Sequence, residues 1–368
     1  MKILIEGYFV DYEIQLAKAL SKIEHTVLIL PFSQIAEEFR EMVNDQFELR
    51  TLESNKLNFL PTKLRNFINL INIVRRIDPD IVHIQVQGGI DNLITFIYFK
   101  IFHKRPIVAT FHDVKPHLGD RPILLIFIRY WIRKYSDAII VHGETLKEQM
   151  IKDYRVPAKK IFVMPIGEHE VAPFKKYERP DITDDGRTIL FFGRIYEYKG
   201  LKYLIEAEPI ISKAVPGIKV VIAGTGENFK KYQLMIGKRN RNFIVYNYHI
   251  SYRQGAEIFQ KSTIVVLPYV EASQSGVVLT AYGFKKPIVV TNVGSIPEIV
   301  DNNVTGLIVP PKNAEYLAEA IIKLLLDVNL RKRMGENGFT KLRTELSFDE
   351  IVKKTISVYE KALHHVVN

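Results

Sequence analysis

The chain has 368 residues, 47% hydrophobic and 25% charged, so it carries ample apolar surface for about two domains and is not a disordered polymer. With 51 Lys and Arg against 41 Asp and Glu, the net charge is +10. That balance favours anionic partners such as phosphates or an acidic membrane surface, and falls short of a nucleic-acid-binding tail. Cys is absent, which excludes a disulfide framework and thiolate chemistry and fits a reducing, cytoplasmic setting.

The apolar run in Met1–Gly7 is too short for a signal-peptide core. Lys2–Ile5 reads as a strand, Asp11–Ser21 as a helix and Thr26–Leu30 as a second strand. Phe67–Ile77 is a helix stopped by Asp78-Pro79, and Ile81–Gln85, Pro106–Thr110 and Ala138–Val141 are strands. Leu93–Phe99 and Ile123–Ile128 are the most apolar stretches, and Lys100 and Arg129 cut them far below the ~20 residues that span a bilayer. Residues 167–185 hold Pro173, Pro180 and many charges and read as a linker. A second series then begins. Thr188–Phe192, Lys219–Ala223, Phe243–Tyr246, Thr263–Pro268 and Pro287–Thr291 read as strands. Leu201–Ala214, Ala314–Leu326 and Phe348–Leu363 read as helices. This rhythm predicts an α/β protein of two doubly wound, Rossmann-like parallel-sheet domains in tandem. Ligands in such folds sit beyond the carboxyl ends of the strands, so two facing halves would make a cleft.

Four strand-end loops and one surface stretch are candidates for function. After Phe192 comes Gly193-Arg194-Ile195-Tyr196-Glu197-Tyr198-Lys199-Gly200. Gly193 allows a tight turn, and Arg194 and Lys199 could neutralise a diphosphate; the alternative is a solvated loop with two ordinary cations. After Leu267-Pro268 comes Tyr269-Val270-Glu271-Ala272-Ser273-Gln274-Ser275-Gly276-Val277, opening the helical stretch Val277–Phe284. Its free N–H groups suit an anion and Glu271 suits a sugar hydroxyl; the alternative is a polar loop with Ser275 as N-cap.

Phe111-His112-Asp113 also ends a strand, where His112 could meet a phosphate or sugar, or be structural. His117 and Asp120 follow, but the group lacks metal-site spacing and no metal is expected. Ala223-Gly224-Thr225-Gly226-Glu227 is a partial Gly-rich loop, with Phe229 where a dinucleotide fingerprint needs Gly, and the first strand offers only Gly7. No Walker sequence or Gly-x-Ser-x-Gly elbow occurs. The surface stretch is basic and aromatic, over residues 94–105 and 121–134. Helices of this kind can lie in a membrane interface. The preferred reading buries their apolar faces on the first sheet, with Lys and Arg at solvated ends that can still meet anionic lipid.

Together these motifs resemble the retaining glycosyltransferases of family 4, with the two-Rossmann GT-B architecture. The resemblance covers nearly the whole chain. It is carried by Gly193-Arg194…Lys199-Gly200, by Ala223-Gly224-Thr225-Gly226-Glu227 and by Glu271-Ala272-Ser273-Gln274-Ser275-Gly276. Lys286-Pro287 through Gly294-Ser295-Ile296-Pro297-Glu298 and Thr305-Gly306 through Pro310 complete it. Pro165-Ile166-Gly167 is similar to the family's hinge, which implies domains over 1–168, on the acceptor side, and 169–347, on the donor side. The last helix, within 348–368, is similar to the one that packs back on the first domain.

The resemblance implies transfer of a hexosyl group from a nucleoside-diphosphate sugar to a glycan or lipid-linked acceptor, with retained configuration and no metal or other cofactor. Arg194 and Lys199 would hold the diphosphate and His112 the sugar or its phosphate. Glu271, with Ser275, Gly276 and Val277, would hold the sugar and distal phosphate, and Gly7, Gly193 and Gly224 would shape the binding loops. The family usually has a second Glu holding the ribose; here that place falls on Leu279 or, anchored on Lys286-Pro287, on Thr280. The implied setting is cytoplasmic, at the inner face of the plasma membrane, with no nucleic acid partner. The missing carboxylate motivates an alternative, a non-catalytic sugar-nucleotide-binding homologue or partner subunit of another transferase. A sugar-nucleotide epimerase of the same architecture is a third reading.

Overall fold

The computed structural model describes residues 1–30, 43, 47–51, 60–87, 89–115, 123–168, 171–226 and 229–367. The chain divides into two compact units, Met1–Pro165 with Phe348–Asn368, and Ile166–Ser347.

The first unit is built on a seven-stranded sheet in the order β3-β2-β1-β4-β5-β6-β7. The strands are β1 Lys2–Glu6, β2 His25–Leu30, β3 Glu48–Thr51, β4 Ile81–Gln85, β5 Ile107–Phe111, β6 Ala138–Val141 and β7 Ile161–Val163. Every pairing is parallel. Central strands such as Ile81–Gln85 are buried along their whole length, as continuous β-branched runs require when helices cover both faces. The core joins Leu4, Val27, Ile29, Val82, Ile84 and Ile107 to Leu70 and Val74 of the helix Leu60–Ile77. The last helix, Phe348–Val367, belongs to this unit. Its Phe348 ring lies 5.6 Å from Tyr12, and Thr355 Oγ1 donates to Met164 Sδ at 3.4 Å.

The second unit carries six parallel strands in the order β10-β9-β8-β11-β12-β13. They are β8 Thr188–Phe192, β9 Lys219–Ala223, β10 Phe243–Tyr246, β11 Ile264–Leu267, β12 Ile288–Thr291 and β13 Gly306–Val309. The helices Leu201–Ala214 and Ala314–Leu326 pack together, burying Leu204, Ile211, Leu317 and Ile321 in the core. Asn313 caps the second of these, its side chain accepting from Glu315 and Tyr316 N–H.

Three strands that the sequence pattern does not reveal, β3, β7 and β13, all lie at sheet edges. An edge strand has one neighbour and one ladder of bonds, so a short run such as Glu48-Leu49-Arg50-Thr51 needs little β-branched patterning to pair.

The apolar stretches of the first unit depart from expectation. In the helix Ile123–Tyr135 the buried residues are Ile128, Arg129, Ile132 and Arg133, while Ile123, Phe127 and Trp131 are exposed. Arg129 is drawn inward by the carbonyls of Asp113 and, at 3.5 Å, Val86, and by the Phe111 ring. Arg133 stacks 3.6 Å over the Tyr154 ring. The cations therefore sit on the sheet side, and much of the apolar surface is left in water. Among the described residues, no helix is long and apolar enough to cross a membrane.

Candidate functional site

In each sheet the strand order reverses once, between β1 and β4 and between β8 and β11. The carboxyl ends at such reversals are where open α/β sheets take their ligands.

In the second unit, the loop after β8 is shaped by glycines at close backbone contacts. Gly193 has φ +113 and its N–H donates to Ala223 O at 2.9 Å. A methyl group on Gly224, at φ +144, would stand 1.9 Å from Gly193 O. The partial Gly-rich sequence after β9 is thus required by the approach of the neighbouring loop before any ligand is considered. Glu227 of that sequence lies outside the described residues.

The same loop is fastened to the one that follows β11. A methyl group on Gly200 would lie 1.9 Å from Pro268 O. Tyr198 O accepts from Val270 N–H at 2.8 Å and from Glu271 N–H at 3.3 Å. Lys199 Nζ sits 3.7 Å from the centre of the Tyr269 ring, a cation held against an aromatic face. Arg194 is exposed, its guanidinium 5.6 Å over Tyr196. The fold therefore brings Arg194, Lys199 and Glu271 onto two loops locked at the reversal point. Glu271 is exposed.

The helix Gly276–Gly283 begins beside them. Ser275 is its N-cap residue, but its side chain caps nothing; its Oγ lies 3.2 Å from the Tyr269 hydroxyl. The first turn keeps its N–H groups free of any side-chain cap, with Gly276 and Val277 half-buried. Thr280 is 1% exposed and its hydroxyl donates to Gly276 O at 3.3 Å, so it serves its own helix rather than the loop surface.

The first unit has the same topology and different contents. At the end of β1, a methyl group on Gly7 would meet Glu13 Oε1 at 2.0 Å and Gln85 Cβ at 2.5 Å. Glu13 is fully buried and accepts from Phe9 N–H at 2.8 Å, so an internal carboxylate occupies this helix start. Burial, with neighbouring acids, holds its carboxyl well above the ordinary range. Burial and the charge of Asp91 push the Glu6 carboxyl up to about 8. Asp91 accepts from the Tyr8 hydroxyl.

His112 is 3% exposed, its ring centre 4.0 Å from Phe9. Its Nδ1 lies 3.1 Å from His142 Nε2 and its Nε2 2.9 Å from Gln85 Oε1. His142 Nδ1 donates to Met164 O at 3.1 Å. Gln85 Nε2 stands 3.2 Å from His83 Nε2, which is 2.7 Å from Thr110 Oγ1, and His83 Nδ1 is 2.7 Å from the Tyr359 hydroxyl. A buried chain of polar contacts thus runs from Met164 to the last helix with His112 at its middle. Burial, with the charge of His142, drops the His83 imidazole to about 3, so it is neutral at ordinary pH. His117 and Asp120 lie outside the described residues. Among the described residues, no group of three or more His, Asp or Glu side chains is placed to hold a metal ion.

Reading the sequence alone overlooked Gln85, His142, Tyr198 and Tyr269. His142 had a usable signal: it directly follows β6, whose Val141 pairs with Phe111, so it neighbours His112 by register. The tyrosines had none, because their roles arise from loops that meet only in three dimensions.

Two family models match the chain, glycosyl transferases group 1 over residues 174–341 and glycosyltransferase family 4 over residues 12–167. The chain belongs to the group 1 glycosyltransferases of family 4. It is 28% identical over 242 residues to the uncharacterized glycosyltransferase MJ1607 of Methanocaldococcus jannaschii, covering 62% of this chain and 61% of the relative. It is 26% identical over 251 residues to the alpha-D-kanosaminyltransferase of Streptomyces kanamyceticus, covering 63% and 64%. The alignments thus span a little under two thirds of these relatives' length. The fold is similar to that of Anabaena HepE in complex with UDP and glucose, with a TM-score of 0.75, 14% identity and coverage of 98% of this chain and 99% of that one. The two Rossmann-like units are those of the GT-B architecture.

Proposed function

We propose that the protein transfers a hexosyl group from a nucleoside-diphosphate sugar to a glycan or lipid-linked acceptor, with retention of configuration and without a metal. One observation carries the donor half of this reading. Tyr198 O binds the Val270 and Glu271 amides while Lys199 rests on Tyr269, so two cation-bearing and acid-bearing loops are one rigid piece at the β8/β11 reversal. Arg194 and Lys199 then neutralise the diphosphate, and the uncapped start of Gly276–Gly283 adds N–H donors. Holding the leaving group's charge is the main catalytic contribution. Glu271 accepts from the sugar hydroxyls. Family membership and a neighbour solved with UDP and glucose support a UDP-sugar as the first donor to try.

One observation favours a second reading, binding without transfer. Thr280 stands where the family's second carboxylate is expected, and it is buried and bonded to its own helix. A thermal-shift panel of UDP-, GDP-, ADP- and dTDP-sugars with EDTA, on the wild type and Lys199→Ala, tests the donor site. Stabilisation by one nucleotide sugar that vanishes in the variant supports it; no stabilisation by any defeats it. Product analysis with labelled donor then separates transfer from binding alone, and a changed sugar without acceptor would indicate epimerisation. Turnover of His112→Ala at saturating donor reads the role expected for His112.

A further inference from the structure

The helix Ile123–Tyr135 is inside out. Its arginines Arg129 and Arg133 are each 6% exposed, while Ile123 is 86%, Phe127 50% and Trp131 36% exposed. The helix Ile90–Ile97 packs against it and continues into Tyr98–Phe102, where Ile101 is 62% and Phe102 71% exposed. We propose that this face of the first unit is a docking surface for a bilayer that contains anionic lipid. The proposal does not rest on the sugar-transfer reading.

Three features choose a bilayer as the occupant. The face is apolar at its centre because the guanidinium groups are turned inward onto Phe111, Tyr154 and backbone carbonyls. It is rich in aromatic rings, with Trp131 stacked on Tyr135 at 5.1 Å, and such rings favour the headgroup level. Its remaining charge is positive, Lys100 and Arg105 being paired with Asp137 and Asp78. Residues 93–106 and 121–136 contain Lys and Arg and no Asp or Glu, and Lys104 and Lys134 are exposed. A second copy would bring two cationic rims together, whereas an anionic bilayer accepts the apolar centre and the cations at once.

Trp131 is the sole tryptophan of the chain, so its fluorescence reports on this face alone. The full chain is mixed with vesicles of phosphatidylcholine, or of phosphatidylcholine with phosphatidylglycerol, and followed by emission, acrylamide quenching and co-sedimentation. The expected result is a blue shift, protection from quenching and sedimentation with the anionic vesicles, weaker without the anionic lipid and reduced in about 1 M salt. Phe127→Ser and, separately, Lys104→Glu with Lys134→Glu each lower partitioning by about tenfold. Circular dichroism and the melting temperature of each variant establish that it is folded. Unchanged emission with both vesicle types overturns the proposal, as does binding that both variants leave intact. A lipid-free blue shift that rises with protein concentration, together with a dimer mass, also overturns it and assigns the face to a second copy. Nucleotide-sugar stabilisation in the same samples is independent, so failure of either idea leaves the other readable.

Discussion

The two units share a parallel doubly wound sheet and differ in what lies at its reversal point. In the first unit the polar groups are turned on one another: Glu13 fills the turn beside Gly7, Asp91 takes the Tyr8 hydroxyl, and His112 is bonded on both sides. In the second unit the same position shows an exposed Arg194, a Lys199 seated on an aromatic ring and a helix start with no side-chain cap. One topology thus yields a buried, acid-rich end, where one oxygen each of Glu6, Glu13 and Asp91 is left without a hydrogen bond among the described residues, and a cationic end with donors to offer. A dianionic group suits the second, where Arg194 and Lys199 can neutralise it, whereas buried acids stand at that position in the first.

The sharpest way to break this contrast is to remove the cations. Lys199→Ala and Arg194→Ala are each expected to lower turnover by about a hundredfold or more while leaving the melting temperature without ligand nearly unchanged. Equal rates in both variants would end the assignment of the cationic end as the donor site.

Next is the architecture that holds that end. Gly224→Ala places a methyl group 1.9 Å from Gly193 O and should cost about 2–4 kcal/mol in chemical denaturation. Gly237→Ala is the control for backbone strain alone, since φ is +54 there with nothing within 4 Å of the new atom, and should cost about 1–2 kcal/mol, less than Gly224→Ala. Equal costs would mean that the close loop contact is not what the glycine serves.

The acid-rich end is sharpened by pH. The folded Glu6 carboxyl is pushed up to about 8 from an ordinary 4.5, so the folded chain holds a proton that the unfolded chain releases. The contribution of this group is complete below the unfolded value and is lost as pH rises through the folded one. Glu6→Gln removes the titration. Its stability relative to the wild type should rise between about pH 5 and 8, by up to roughly 1.4 kcal/mol per pH unit. A flat difference across that window would show that Glu6 is ionised in the folded protein.

The smallest effect belongs to Thr280→Ala. It removes one buried hydroxyl bonded within its own helix and should cost about 1 kcal/mol of stability with donor affinity unchanged. A loss of affinity as large as that of Glu271→Ala would show that Thr280 reaches the ribose.

Much of this molecule is legible from residues in order. Parallel strands are rich in β-branched and aromatic residues, so Ile81–Gln85, Ala138–Val141, Thr188–Phe192, Lys219–Ala223 and Phe243–Tyr246 match their predicted bounds. Strand ends locate loops, so Arg194, Lys199 and Glu271 stand out as candidates in the sequence itself. Three of the four edge strands, β3, β7 and β13, could not be read this way, because one ladder of backbone bonds asks little of side chains. Nor could the seat of Lys199 on Tyr269 or the bond from His142 to His112, which join residues distant in the chain. The helix Ile123–Tyr135 makes the same point most plainly. Its apolar residues predict burial, yet carbonyls and rings elsewhere in the unit draw Arg129 and Arg133 inward and leave Phe127 and Trp131 outside. Sequence alone determined the alternation of elements and the chemistry available at their ends, since both follow from local backbone and solvation preferences. Which side chains face one another, and which face water, was decided by the tertiary structure, because that choice minimises the energy of all neighbours together.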